Sequence, residues 1–386
     1  MAKIVSMDSV GGSARFRPRW SWDDLGGVPL LVTLPFMYYP KMLAGDTQLW
    51  VFFAGLLALF AFHLARFPTA ADMLTVLLSV ACFGVYAIRS DDGLQVVRAL
   101  HTYVCFIVLW LVCRRDYNGF FGDAVRLTVV VWLVVGCYQY FALALRLPVE
   151  IVGRYVEGRG GVPSLTPEPS IYGSLSVLQI MYLLTQHDRK NWPYIVAAAI
   201  SVILSGSALA QILMVFPVLE LSVRFRIALL ITLTTFALFE LFILSGSLVS
   251  RLLGIVTNIA TDASVLFDSS SNLRMGHLVF TMGTNFVDSM LLLSPLNFMG
   301  QYNSFAQKTG LFIDTESNFI LPALGEMIYG CGVFGMLLFA RVIYLSQLGL
   351  TSTSAKFKKM LFITLCMLNP ISCSNAFFIL YLSRRN

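Results

Sequence analysis

The chain is 386 residues long, 57% hydrophobic and only 12% charged, with a formal net charge of +6 and a mean hydropathy of +0.76. Soluble domains carry about 25% charged residues, so an ordinary soluble globular protein is excluded and lipid is required as the solvent. The positive balance does not indicate nucleic acid, because the basic residues sit at the ends of apolar runs, where they orient helices.

Residues 1–27 are polar and basic, with Lys3, Arg15, Arg17 and Arg19, and lack the short apolar core and small-residue cleavage site of a removable signal peptide. They are expected to stay in the mature protein, on the cytoplasmic side. A spanning helix needs about 20 apolar residues. Apolar runs bounded by charge, Gly or Pro follow at 28–42, 49–65, 73–88, 97–113, 125–145 and 171–185. With the N-terminus inside, Arg66, Arg114, Arg115, Arg189 and Lys190 all fall on the cytoplasmic side, and residues 146–169 form a first long periplasmic loop. Seven cysteines (Cys82, Cys105, Cys113, Cys137, Cys331, Cys366 and Cys373) lie in or beside apolar runs with no metal-ligand spacing, and read as small buried apolar residues.

The run 194–221 lies between Arg189/Lys190 and Arg224/Arg226, so both ends read as cytoplasmic, yet it is too long for one helix. A broken hairpin with its break at Leu204-Ser205-Gly206-Ser207 satisfies this, provided the opened backbone is buried in protein or faces a watery cavity. Two ordinary short spans meeting at the outer surface satisfy it equally, since small residues also permit close helix packing. Residues 227–245 return the chain to the periplasm. Residues 246–318 are then too polar and too interrupted to span cleanly. Within them, 276–293 is apolar on one face but carries His277, Asn285 and Asp288, which suits a helix packed over the membrane domain, with a spanning helix as the alternative. Residues 319–345 cross inward to Lys356, Lys358 and Lys359. The last run, 361–382, is interrupted by Asn369-Pro370-Ile371-Ser372 and ends at Arg384-Arg385, as expected of a second broken pair with a cytoplasmic C-terminus. The expected fold is one all-α polytopic membrane domain over residues 1–386, with about 10 to 12 transmembrane or re-entrant helices and two long periplasmic loops, 146–169 and 246–318. No internal repeat is evident.

Arginine normally gathers inside, yet Arg146, Arg154, Arg159, Arg251 and Arg274 fall in the two outer loops. Guanidinium groups stay charged and match phosphate oxygens bidentately, so arginines at the outer membrane edge suit a lipid diphosphate. For Arg146 and Arg251, solvated loop charge is the preferred reading. Arg159 stands in the segment Gly158-Arg159-Gly160-Gly161-Val162-Pro163-Ser164-Leu165-Thr166-Pro167-Glu168-Pro169-Ser170-Ile171-Tyr172-Gly173. Its glycines permit close backbone approach to a ligand, and its prolines fix the path on which Glu168 is held. Glu168 also precedes an apolar helix, where a carboxylate suits the positive end of the dipole, so simple capping competes with a functional role.

An arginine in a Gly-rich outer loop followed by Glu-Pro-Ser at a helix start resembles the signature of the Wzy-type O-antigen and exopolysaccharide polymerases. Leu204-Ser205-Gly206-Ser207 resembles that family's Ser-Gly-Ser hairpin. Ser269-Ser270-Ser271-Asn272-Leu273-Arg274 resembles its serine-rich approach to a second loop arginine. Ser317-Asn318-Phe319-Ile320-Leu321, with Gly325, Glu326 and Gly330, looks like its asparagine-containing helix entry. Related O-antigen ligases usually have His-Asn at that entry, where this chain has Ser317-Asn318. His277, the only histidine of the outer loops, is a possible substitute base, with a packed role as its competitor. The ordered motifs cover Arg154 to the C-terminus; before that, only helix count and hydropathy agree.

The resemblance implies a periplasmic glycosyltransferase of the bacterial inner membrane that moves a growing glycan from undecaprenyl diphosphate to the non-reducing end of a lipid-linked repeat. It implies that Arg159 and Arg274 stabilise the leaving diphosphate and that Glu168, or else His277, takes the acceptor proton. Arg154, Ser170, Tyr172, Ser205, Ser207, Asn318 and Glu326 are the substrate-binding candidates. No phosphate-cradling loop, nucleotide fingerprint or metal cluster is visible, so no metal or cofactor is expected. The implied partners are the undecaprenyl-diphosphate-linked oligosaccharide, the bilayer, and a chain-length regulator and flippase of the same pathway. A flippase or other transporter is the first rival, weakened by the lack of repeated halves. An O-antigen ligase or protein glycosyltransferase with the same donor is the second, and a purely structural membrane protein the third.

Overall fold

The computed structural model describes residues 70–104, 107, 120–148, 161–166, 168–186, 188–243, 270–284, 286–291, 296–309, 322–348, 362–364 and 366. The segment 1–27, the runs 28–42 and 49–65, and Arg154, Arg159, Arg251 and Asn318 lie outside them, as does most of 361–382. Among the described residues every regular element is a helix.

Among the described residues, three helices are long and apolar enough to cross a membrane, at Asp72–Arg89, Val125–Ala144 and Ala323–Leu345. They belong to α1 (Ala70–Arg89), α3 (Phe120–Ala144) and α11 (Ala323–Leu348). These match the apolar runs 73–88, 125–145 and 319–345. Helix α1 carries Asp72 in its first turn and Arg89 in its last, complementing its dipole. Helix α2 (Gly93–Ala99) continues into a widened π-type turn, Leu100–Val104, so the start of the run 97–113 is not a regular α-helix. Helix α3 ends with Arg146 left-handed (φ 55) and Leu147 N–H returning to the Ala142 carbonyl at 2.8 Å. Arg146 is solvent-exposed there, which fits solvated loop charge.

Helix α4 (Pro169–Thr185) is the centre of the bundle. A proline in its first turn pre-sets the helical φ, and its residues are buried almost all round, from Tyr172 through Leu183, as befits a helix enclosed by others. It packs on α3, α5 (Trp192–Leu204) and α6 (Ala208–Glu220). Arg126 of α3 holds one end of this group. It pairs with Asp123 at 2.8 Å and Asp188 at 3.3 Å, and its Nε donates to Asn191 Oδ1 at 2.9 Å, while Asn191 Nδ2 donates to the Leu183 carbonyl at 3.1 Å.

Helices α5 and α6 have 13 residues each. That is roughly 20 Å at 1.5 Å per residue, short of a hydrocarbon core of about 30 Å. The break between them is buried: Ser205 is 1% exposed and Ser207 6%. The backbone at the break is thus enclosed by protein, the condition that the broken-hairpin reading requires. Helix α7 (Val223–Ile243) follows.

The second long loop contains α8 (Ser270–Val279), a π-type turn at Phe280–Thr284, α9 (Phe286–Met290) and α10 (Phe298–Thr309). The expected helix at 276–293 therefore starts earlier, at Ser270, takes in Arg274, and is interrupted after Val279. Hydropathy places the start too late because the first turns of α8 are polar. The layer packs on α11 and α6. An aromatic cluster of Phe280, Phe298, Tyr302, Phe305 and Tyr329 joins it to α11. The four described cysteines, Cys82, Cys137, Cys331 and Cys366, are free thiols, buried except for half-buried Cys137.

Candidate functional site

The site is built around the broken hairpin. Ser205 ends α5, Gly206 turns through a left-handed φ of 59, and Ser207 caps α6, its Oγ accepting from Ala210 N–H at 3.4 Å. Ser205 Oγ donates to the Val202 carbonyl at 2.6 Å and accepts from Ser207 N–H at 3.2 Å. The end of the first loop lies directly on this break: Val162 N–H donates to the Leu204 carbonyl at 3.0 Å. A Cβ on Gly161 would overlap the Ser205 carbonyl, so backbone meets backbone there.

Helix α3 holds the same segment from the other side. Gln139 Nε2 donates to the Ser164 carbonyl at 2.9 Å, and the Trp132 carbonyl accepts from both Ser164 Oγ at 2.8 Å and the Tyr172 hydroxyl at 3.1 Å. Ser164 sits at a φ of 52, a strained position for a residue with a side chain, and these bonds hold it there.

Glu168 comes next, as the residue capping α4, with extended backbone. Its carboxylate makes no hydrogen bond to the helix N–H groups. Oε1 instead accepts from the Ser170 hydroxyl, and Thr166 Oγ1 donates to the Glu168 carbonyl at 2.9 Å. Capping by the side chain, the competing role in the sequence, is not the bond it makes. The first turn of α4 lies against that of α6, because a Cβ on Gly173 would meet both Ser205 and Ala210. Two helix N-termini, each a partial positive charge, thus open side by side.

Arg274 of α8 completes the group. It is 1% exposed, and burial pushes its guanidinium down to about 10, against the nearby charge of Glu168, which raises it. At neutral pH it remains charged. His277, one turn on, is fully buried; its ring stands edge-on to Phe298 at 4.8 Å and Tyr302 at 4.7 Å. Burial, with Arg274 adding to it, pushes His277 down to about 3, so it is neutral at physiological pH.

The structure therefore brings Glu168, Ser170, Tyr172, Ser205, Ser207 and Arg274 into one region, with His277 on the adjoining turn. Glu326 is in the first turn of α11, with Tyr103 and Cys331 as electrostatic neighbours. Arg89, which no motif contains, donates to the Tyr329 and Gly330 carbonyls at 2.7 and 2.9 Å. Its signal was available: on the sidedness expected from the charge pattern, it is one more arginine on the side where arginine is unusual.

No protein-family model matches this chain, and no curated protein matches it. The chemical reading rests on the chain itself. A charged, desolvated guanidinium beside a hydrogen-bonded carboxylate and two helix N-termini can bind an anion and accept a proton within one water-poor locus.

Proposed function

We propose that this protein is a Wzy-type polysaccharide polymerase of the bacterial inner membrane. It transfers a growing glycan from undecaprenyl diphosphate to a lipid-linked repeat unit, on the periplasmic side, with both chain termini in the cytoplasm. The observation that carries this reading is that Arg274, buried on α8, feels the charge of Glu168, more than a hundred residues away in sequence at the entrance of α4, whose start packs on the Ser205–Ser207 break.

The acceptor hydroxyl attacks the anomeric carbon of the donor, and the glycosidic C–O bond to the diphosphate breaks with its electron pair leaving on the diphosphate oxygen. Arg274, with Arg159 from the first loop, stabilises that charge more than it stabilises the ground state. Glu168, oriented by Ser170, takes the proton from the attacking hydroxyl. His277, neutral and packed against Phe298 and Tyr302 on the turn after Arg274, is the second candidate for that proton. The flippase and chain-length regulator of the pathway are the expected partners.

A buried break in paired short helices is also a transport feature, so the test must separate the two. Purified protein in detergent is given a lipid-linked repeat unit, and the glycan length is read. Longer glycans support the polymerase. Glycans of unchanged length, with the lipid carried across reconstituted vesicles, support the transporter. Transfer to a different acceptor without lengthening supports the ligase-like alternative.

A further inference from the structure

Helix α11 is broken at Gly332, whose φ of 57 and ψ of −135 lie outside the helical region. The break leaves the last carbonyls of the half-helix 323–331 without partners in their own helix. Arg89 fills that gap through its two Nη1 bonds to the Tyr329 and Gly330 carbonyls. A guanidinium at this end, with Glu326 in the first turn, complements the dipole of the half-helix at both ends. The approach is close: a Cβ on Gly330 would lie 2.7 Å from the ring of Tyr86, one turn before Arg89.

Tyr329 carries the consequence onward. Its ring packs on Phe280 and Phe298, with centroids at 6.2 and 5.8 Å, and its hydroxyl donates to Gln301 Oε1 at 2.9 Å. Phe280 continues directly from α8, the helix of Arg274, and Phe298 is one of the rings that hold His277. One unbroken set of contacts therefore runs from Arg89 through Tyr329 to the layer that carries Arg274.

We propose that Arg89 is a positioning residue: by capping the broken half-helix of α11 it fixes Tyr329, and so sets the α8–α10 layer at the height where Arg274 faces Glu168. The placement does not depend on the reaction. Its effect on chain growth rests on the function proposed above.

Hydrogen exchange on the purified full-length protein tests the placement, with Arg89→Gln, Arg89→Lys and Tyr329→Phe. Arg89→Gln is expected to speed exchange across residues 270–309 on the order of tenfold, leaving 169–220 as in the wild type. Arg89→Lys, which keeps a charge and a donor, restores part of the protection. Tyr329→Phe keeps Arg89 and the ring and speeds exchange in 298–309 alone. Equal acceleration in both regions, or none in 270–309, overturns the assignment. Should Arg89→Gln not fold, unchanged exchange in 298–309 of Tyr329→Phe overturns it by itself. On the same samples Arg89→Gln is expected to lower kcat for chain growth with little change in KM. A wild-type protein that elongates nothing removes the functional reading and leaves the exchange result standing, so the two failures are separable.

Discussion

Gly161 and Ser205 touch through their backbones: a Cβ added to Gly161 would lie 2.6 Å from the Ser205 carbonyl carbon. The contact joins the end of the first long loop to the hairpin break, and so fixes the approach to Glu168. Gly161→Ala must push the two apart. Overpacking of this kind costs about 1–3 kcal/mol. The expected result is a lower Tm in detergent with a disproportionate loss of activity, and an unchanged Tm would show that the contact carries no such constraint.

On the proposed mechanism, removing the charge at Arg274 takes away a preorganised donor to the leaving group. Loss of one such donor typically costs about 10²–10³ in kcat. Arg274→Ala should lose that much, and Arg274→Lys should recover only part of it, because an ammonium does not reproduce the planar fork. Steady-state elongation rates on membranes with matched protein levels check both.

Glu168→Gln keeps the shape of the carboxylate and its contact with Ser170 but cannot take a proton. It should abolish most chain growth while leaving the bundle folded. Because Arg274 stays charged at neutral pH and the variant removes a negative charge near it, binding of a diphosphate lipid should be kept or strengthened. Undiminished elongation would remove Glu168 from the reaction.

His277 gives a pH prediction. Its pKa in the folded protein, about 3, lies below the unfolded value of about 6.5. Between these values the unfolded chain binds a proton that the buried ring refuses, so stability falls as pH drops below about 6.5, by up to about 1.4 kcal/mol per pH unit. Above that pH the effect vanishes. Wild type should lose Tm between pH 7 and pH 5, and His277→Gln should lose less. The activity profile should show no limb near pH 6.5 from this residue.

The spans at 73–88, 125–145 and 319–345 were legible because length and hydropathy suffice for a helix in lipid. The break at Ser205–Ser207 was legible as well, since charge on both flanks of 194–221 forces a reversal. The start of α8 was not. Its polar first turns look like loop, and the face it buries, with Arg274 and His277, packs on α6 and α11, which are far away in sequence. Gly332 was equally hidden: nothing in α11 marks one glycine among several as the point of fracture until Arg89 is seen capping the carbonyls before it. Glu326, grouped with the site by motif, has Tyr103 of the π-type turn after α2 and Cys331 of α11 as electrostatic neighbours.

The central claim is that Arg274 acts on the diphosphate of a lipid-linked glycan. Polymer length, read by gel from cells whose native polymerase is replaced by this chain or by Arg274→Ala at equal membrane levels, tests it most directly. Long polymer from the unaltered chain and single repeat units from the variant are predicted; polymer of normal length from Arg274→Ala would contradict the account.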